Sequence, residues 1–149
     1  MDYASGDFDR DGYVDLIVAG DWQSPYFLKG DGTFSNPMQL EYTGAGQRGR
    51  DSGDFDRDGK LDYVSARYGD GFTYFHKGTG GGAFEPAKQI FATSADPYTV
   101  AAGDFDNDGK IDIVAGGASD AQHFFYKGNG DGTFQSRGLV FGVSGGSHG

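Results

Sequence analysis

Cysteine is absent from this 149-residue chain, and proline, methionine and tryptophan are scarce, with four, two and one residues. The absence of cysteine excludes a disulfide scaffold and a thiolate metal site. Basic residues are also few, since 12 lysines and arginines face 22 acidic residues and the formal net charge is −10. Such acidity argues against nucleic acid or an anionic membrane surface as a partner. No apolar run has the length of a transmembrane helix, so we predict no membrane insertion.

Glycine is abundant, with 28 residues, whereas only 36% of the residues are hydrophobic. This composition favours many turns and short strands over long apolar helices. The length is typical of one domain, which would bury about 70% of the surface of its unfolded chain. We therefore expect an all-β fold that is rich in turns.

An acidic ten-residue string occurs three times, and its first aspartate is Asp7, Asp54 or Asp104. Each copy places aspartates at loop positions 1, 3, 5 and 9 and a glycine at position 6. Carboxylate oxygens around a sharp glycine turn are what a hard cation such as Ca²⁺ requires, and a backbone carbonyl at position 7 would add a ligand. We predict three calcium sites, with the ligands Asp7, Asp9, Asp11, Tyr13 and Asp15, then Asp54, Asp56, Asp58, Lys60 and Asp62, then Asp104, Asp106, Asp108, Lys110 and Asp112.

An EF-hand loop shares these early positions but closes with a bidentate glutamate at position 12, between two helices. Position 12 here is Val18, Ser65 or Ala115. The residues that follow each loop are rich in β-branched side chains and too few for a helix. We therefore predict that strands flank the loops, which excludes an EF-hand.

The loops belong to a repeat of nearly 50 residues, because the last residue of a glycine-rich turn recurs at Phe34, Phe84 and Phe134. Four short strands fit in each repeat, called A to D, which is the pattern of a propeller blade. The acidic loop joins strands A and B, and strand B is predicted to begin at position 7 of the loop. The predicted units are blades at residues 1–47, 48–95 and 96–143 and a flexible tail at 144–149.

Two apolar features of the repeat predict a core. The near-continuous apolar run of strand B predicts burial on both faces, as where blades stack against each other. The phenylalanine at loop position 2, which is Phe8, Phe55 or Phe105, is predicted to anchor the loop to its own blade.

The acidic loop, the apolar strand and the Gly-Asp-Gly-Thr-Phe turn closely resemble the integrin-α-like FG-GAP and VCBS repeats, over roughly residues 2 to 143. The resemblance implies a β-propeller with calcium in the loops between strands A and B, on the face opposite the usual ligand surface. Three blades cannot close a ring, since propellers typically have four or more. We therefore expect a partial β-propeller or an assembling repeat unit whose copies self-associate. We also expect that the chain is a processed or excised piece.

The leading functional prediction is a calcium-stabilised, extracellular or cell-surface module with a structural or adhesive role, which self-assembles or binds a partner. An extracellular location follows from calcium, because weak sites of this kind fill at extracellular concentrations. The alternative is a lectin-like glycan-binding propeller, in which exposed aromatic and polar side chains contact a sugar. The predicted ligand-binding residues are Trp22, Arg48, Arg50, Tyr68 and Asp120.

A third possibility, part of a secreted carbohydrate-active enzyme, would use paired aspartates as acid and base. Aspartates committed to calcium are poor proton-transfer groups, and their threefold repetition suits a scaffold better than one active site. We predict that the chain is not an enzyme.

Overall fold

The computed structural model describes residues 2–20, 24–41, 46–92, 97–117, 123–135 and 138–141. These residues form twelve strands, and no helix in this part of the chain has the length and apolar character to span a membrane. The strands are β1 (Asp2–Gly6), β2 (Asp15–Ala19), β3 (Tyr26–Leu28), β4 (Met38–Gln39), β5 (Gln47–Gly53), β6 (Asp62–Arg67), β7 (Phe72–His76), β8 (Lys88–Ala92), β9 (Pro97–Gly103), β10 (Asp112–Gly117), β11 (His123–Tyr126) and β12 (Gly138–Phe141).

The strands make three antiparallel sheets of four, and each sheet pairs consecutive strands in the orders β1-β2-β3-β4, β5-β6-β7-β8 and β9-β10-β11-β12. The all-β class and the three four-stranded sheets are thus confirmed. In every sheet the first two strands pair at the glycine before the acidic loop and the aspartate that ends it, as Gly6 with Asp15, Gly53 with Asp62 and Gly103 with Asp112. The acidic loop therefore spans the same end of each sheet.

The second strand of each sheet begins two residues later than predicted, at Asp15, Asp62 and Asp112. The reason is that this aspartate turns back to accept hydrogen bonds from the loop, which keeps loop positions 7 and 8 out of the ladder. The division into residues 1–47, 48–95 and 96–143 stays a prediction, and β5 already begins at Gln47. The tail at 144–149 lies outside the described residues.

The middle sheet lies between the other two, with the first strands β1, β5 and β9 side by side. One apolar core, which includes Ile17, Phe27 and Tyr63, fills the space between the first and second sheets. A second core, which includes Val64 and Ile113, joins the second sheet to the third. Each of the two gaps between sheets is therefore closed by its own apolar cluster.

Burial of the second strands follows from this order. In β6 every residue from Asp62 to Ala66 is buried, which confirms the predicted burial on both faces. In β2 burial alternates, because the described chain covers the first sheet on one side only, so the predicted burial on both faces is wrong for this strand.

The loop phenylalanines do not share one environment. Phe8 and Phe55 are each 1% exposed, whereas Phe105 is 53% exposed. The rings of Phe8 and Phe55 pack edge-on against Phe84 and Phe134, which belong to the next sheet along the chain. The predicted burial is confirmed for Phe8 and Phe55 and wrong for Phe105. The prediction of an anchor to the loop's own blade did not include the covering ring, which comes from the following sheet.

Candidate metal centres

Each acidic loop has the same tightly folded backbone. Position 4 is left-handed at Arg10, Arg57 and Asn107, with φ of 65°, 62° and 60°. The glycine at position 6 is left-handed too, with φ between 82° and 92° in the three loops. Residues other than glycine seldom adopt this conformation. Its recurrence in all three loops shows that the loop sequence, and not one local contact, specifies the turn, as predicted for position 6.

This turn holds the first carboxylate in place with two backbone hydrogen bonds. The amides of positions 5 and 6 donate to the two oxygens of Asp7, Asp54 and Asp104 over 2.8–3.0 Å. The position-1 aspartate is therefore oriented before any ion binds.

Carboxylate oxygens converge inside each loop. Three oxygens lie within 4.8 Å of one another in every case, and the groups are Asp7, Asp9 and Asp15, then Asp54, Asp56 and Asp58, then Asp104, Asp106 and Asp108. Like charges this close repel one another strongly, and a cation between them removes the repulsion. The structure thus brings together the predicted side-chain ligands of positions 1 and 3 in all three loops.

The position-9 aspartate has a second task that the spacing alone does not reveal. Asp15, Asp62 and Asp112 are fully buried, at 0% exposure. One oxygen of each accepts the amide of loop position 2 over 2.9–3.0 Å, and the other accepts a glycine amide of the Gly-rich turn over 2.7–2.8 Å. This carboxylate therefore ties the acidic loop to the turn of its own sheet.

Burial raises the pKa of Asp62 to about 6, and the nearby charges of Asp56 and Asp58 act in the same direction. Each carboxylate oxygen has two lone pairs, so an oxygen that accepts one hydrogen bond can still coordinate a metal ion. The ligand role of position 9 stays a prediction.

One lysine reaches each loop from the end of the third strand of its sheet. Lys29, Lys77 and Lys127 contact the position-3 carboxylate, and their ammonium nitrogens lie 2.6, 3.1 and 2.8 Å from the position-5 carboxylate. Sequence reasoning missed this role, although a lysine precedes every Gly-rich turn. The lysine places one positive charge among the carboxylates that would bind a cation.

The lysines lower the pKa of the position-5 aspartates Asp58 and Asp108. Hydrogen bonds from Lys60 and then Lys77 lower the pKa of Asp58 to about 2. Lys127 and then Lys110 lower the pKa of Asp108 to about 2 as well. Position 5 is therefore ionised over the whole physiological pH range, as a metal ligand must be.

Position 7 contributes different side chains to the three loops. Tyr13 is 64% exposed, while Lys60 and Lys110 form ion pairs with the position-5 aspartates at 2.9 and 3.3 Å. This variety agrees with a role of the backbone carbonyl alone, which stays a prediction.

Two of the residues predicted to bind a ligand, Arg48 and Tyr68, lie near the end of the middle sheet that is opposite its acidic loop. Tyr68, which is 44% exposed, packs edge-on against Tyr98 at 5.6 Å between ring centroids. The guanidinium of Arg48 lies 4.6 Å from the centre of the Tyr98 ring. The structure therefore brings Arg48 and Tyr68 together around Tyr98. Trp22 and Asp120 lie outside the described residues.

Arg50 has a different environment from Arg48. It is 6% exposed, and its Nη2 donates to Gln47 Oε1 over 2.8 Å inside the middle sheet. Next to Tyr68, Asp70 accepts a hydrogen bond from the Tyr74 hydroxyl over 2.8 Å and forms an ion pair with Arg67 at 3.1 Å. Sequence reasoning did not select Tyr74, because the pairing of β6 with β7 is needed to place its hydroxyl beside that loop.

Two overlapping segments, residues 7–65 and 54–115, match the family model described as FG-GAP-like repeat. The chain belongs to the FG-GAP-like repeat family. This result confirms the resemblance that the three loops and turns suggest. A comparison with curated proteins finds no match for the FG-GAP-like chain.

One solved structure similar to the FG-GAP-like chain is that of an Agrocybe aegerita lectin, described for its specific recognition of non-reducing terminal N-acetylglucosamine. The two structures superpose with a TM-score of 0.68 and 25% sequence identity, over 92% of the present chain. Only 37% of the lectin chain is covered, so the FG-GAP-like chain spans little more than a third of that length.

The donors in the FG-GAP-like loops suit calcium. They are carboxylates, and hard cations prefer such oxygen ligands, whereas softer metals prefer thiolate and imidazole ligands. Position 5 is exposed in all three loops and leaves one side of the loop open to water, which Ca²⁺ accepts among its six to eight ligands. The residues present therefore fit the ion that the sequence predicts.

Proposed function

We propose that this chain is a calcium-stabilised binding module of the β-propeller type, which acts outside the cell or at its surface in a structural or adhesive role. One observation carries the proposal: three loops with the same acidic sequence adopt the same backbone turn and the same hydrogen bonds around converging carboxylates. A feature repeated three times in this way serves the scaffold and not one local reaction.

The aspartates of each loop have two different roles. The aspartates at positions 1, 3 and 5 would hold the ion, and the position-9 aspartate fixes the loop to the Gly-rich turn. Bound calcium supplies positive charge that removes the repulsion among the carboxylates. An ion that binds only the folded state stabilises it by about 1.4 kcal/mol per site at a tenfold excess over Kd. Three such sites would contribute a large part of the stability of a small domain.

The calcium proposal is tested by the melting temperature of the chain in calcium and in EGTA. We expect a higher melting temperature in calcium, which rises further as the calcium concentration increases. Magnesium at the same concentration is the control, since it requires near-octahedral geometry and should stabilise less. An equal melting temperature in calcium and in EGTA would contradict the proposal.

The same proposal places the chain among binding proteins and not enzymes. The loop aspartates are engaged by backbone amides and by lysine ammonium groups, which makes them poor groups for proton transfer. The low pKa of Asp58 and Asp108, about 2, keeps both without a proton to donate.

Glycan binding is the second candidate function. It is favoured by the exposed Tyr68 beside Tyr98 and Arg48, because aromatic rings next to polar groups are common in sugar sites. The similarity to a lectin that recognises N-acetylglucosamine supports the same idea.

A test of glycan binding uses N-acetylglucosamine-terminated glycans as the probe, on an array and by calorimetry. We expect Tyr68→Ala to abolish binding, whereas Tyr13→Ala, which changes an exposed tyrosine in an acidic loop, should leave it intact. No binding by the wild type, or equal losses in both variants, would reject this candidate.

A further inference from the structure

We propose that copies of this chain associate head to tail, through two faces that repeat the internal contact between sheets. The head face is the outer side of the first sheet, formed by Val14, Gly32 and Phe34. The tail face is the outer side of the third sheet, formed by Gly103, Phe105 and Phe125. The inference is independent of which ligand the chain binds.

The contact between neighbouring sheets occurs twice in the chain with the same parts. Phe8 packs edge-on against Phe84 of the second sheet at 5.7 Å, and Phe55 packs in the same way against Phe134 of the third at 5.9 Å. Beside each ring pair, a glycine of the following turn donates its amide to the carbonyl of the loop phenylalanine. These bonds are Gly82 to Phe8 at 3.3 Å and Gly132 to Phe55 at 3.2 Å.

A second apolar contact also recurs. Leu61 of the second sheet covers Gly6 so closely that a Cβ added to that glycine would lie 2.4 Å from Leu61 Cδ1. Ile111 covers Gly53 in the same way, at 2.6 Å. Each contact between sheets therefore has two parts. The loop phenylalanine of the preceding sheet meets the turn phenylalanine of the following sheet, and the glycine of the preceding sheet meets the aliphatic residue of the following sheet.

A third contact involves the glycine of the following turn. A Cβ added to Gly82 would lie 2.6 Å from the ring of Phe27, and one added to Gly132 would lie 3.1 Å from the ring of Phe75. Both rings belong to the third strand of the preceding sheet and are buried. Three separate contacts thus define the same fit at both places.

The head face presents the following-sheet half of this contact. Val14 occupies the position of Leu61 and Ile111, and it is 62% exposed. Phe34 ends the corresponding turn of the first sheet, and it is 38% exposed. That turn is two residues shorter than the turns that end at Phe84 and Phe134, and the backbone of Phe34 is left-handed, with φ of 51°. A Cβ added to Gly32 would meet no atom of the described chain within 4 Å.

The tail face presents the preceding-sheet half. Phe105 is 53% exposed, and a Cβ added to Gly103 would have the ring of Phe105 itself as its nearest neighbour, at 3.4 Å. Phe125 occupies the position of the buried Phe27 and Phe75 and is only partly buried. The two ends of the chain therefore expose complementary halves of a contact that the chain already makes twice.

A second copy of the chain is the partner that fits both faces at once. Its Phe34 and Gly32 would meet Phe105 as Phe84 and Gly82 meet Phe8. A head-to-tail contact of this kind makes a closed ring where the rotation per copy allows closure, and an open filament where it does not.

Sedimentation velocity over a range of protein concentrations, in calcium, tests the proposal. We expect wild type to form dimers or larger assemblies. Phe34→Ser and Phe105→Ser, which leave the charge of the acidic loops unchanged, should each be monomeric alone. A mixture of the two should form a dimer of one copy of each, because one variant keeps an intact tail and the other an intact head.

Met38→Ser, at a residue 42% exposed on β4, is the control and should assemble as wild type does. Far-ultraviolet circular dichroism and the melting temperature check that every variant is folded. Wild type that stays monomeric at all concentrations would overturn the proposal. Assembly by either single variant alone would overturn it as well. So would a mixture of the two variants in which both are folded but form no dimer.

Discussion

The second and third acidic loops differ at only two of ten residues, Arg57 against Asn107 and Leu61 against Ile111. Their internal hydrogen bonds agree closely in length. Their surroundings differ, because the third sheet covers the second loop and no described residue covers the third. The side chain of Asp56 is 10% exposed and that of Asp106 is 34% exposed. The loop sequence thus specifies the shape of the metal site, while a neighbouring sheet decides how much of it water reaches.

The largest expected effect compares the same substitution in these two loops. Phe55→Ala should cost about 3–5 kcal/mol of unfolding free energy, because it removes a buried ring between two sheets. Phe105→Ala should change stability by no more than about 0.5 kcal/mol, because its ring is exposed in the single chain. Urea unfolding of dilute protein measures both. Equal losses would show that the neighbouring sheet does not determine the role of the loop phenylalanine.

The second prediction concerns pH and a residue of the middle sheet. His76 is 3% exposed, stacks on Tyr63 and shares a hydrogen bond with Ser65, where the third sheet has Tyr126 at the matching position. Burial, with the charge of Arg50, lowers the pKa of His76 to about 3 from an ordinary value of 6.5. The unfolded chain therefore takes up a proton below pH 6.5 that the folded chain does not.

Stability from His76 is fully present above pH 6.5 and should fall by up to about 1.4 kcal/mol for each pH unit below it. Asp62, with its raised pKa, acts in the opposite direction between its ordinary value of 3.8 and about 6. The informative quantity is therefore the difference between wild type and His76→Gln, measured by urea unfolding from pH 7 to pH 4. His123→Gln, which changes a partly buried histidine of the third sheet, is the control. A constant difference over this range would contradict the buried neutral histidine.

A smaller effect is expected from the lysines that lie among the loop carboxylates. Lys77→Gln should tighten calcium binding a few-fold, because it removes a positive charge that competes for Asp56 and Asp58. Lys127→Gln should tighten it less, because water screens the more exposed third loop. Calcium titrations of the two variants and the wild type measure their calcium affinities and show which variant binds more tightly. Weaker binding after Lys77→Gln would mean that the lysine supports the site instead of competing for it.

Much of the fold could be predicted from the sequence, because the acidic loop and the Gly-rich turn each recur three times and mark the ends of the strands. The delayed start at Asp15, Asp62 and Asp112 could not be predicted, since it depends on the hydrogen bonds that these aspartates accept from the amide of loop position 2. The aspartates that converge in each loop were predictable because they are neighbours in sequence.

Features that depend on distant parts of the chain were missed or misjudged. The lysines reach loop aspartates 20 or 21 residues away through the pairing of the second and third strands. The exposure of Phe105 depends on which sheet lies beside its loop, and that information is not contained in the repeat itself. Trp22 and Asp120 stay predictions outside the described residues.

The central claim is that the three acidic loops bind calcium, and the most direct test is the number of ions bound per chain at saturation. Equilibrium dialysis followed by elemental analysis measures this number for the wild type and for Asp56→Asn, which changes one loop only. We predict three calcium ions per wild-type chain and two per variant chain. A wild-type chain that binds no calcium, or a variant that binds as many ions as the wild type, would contradict the account.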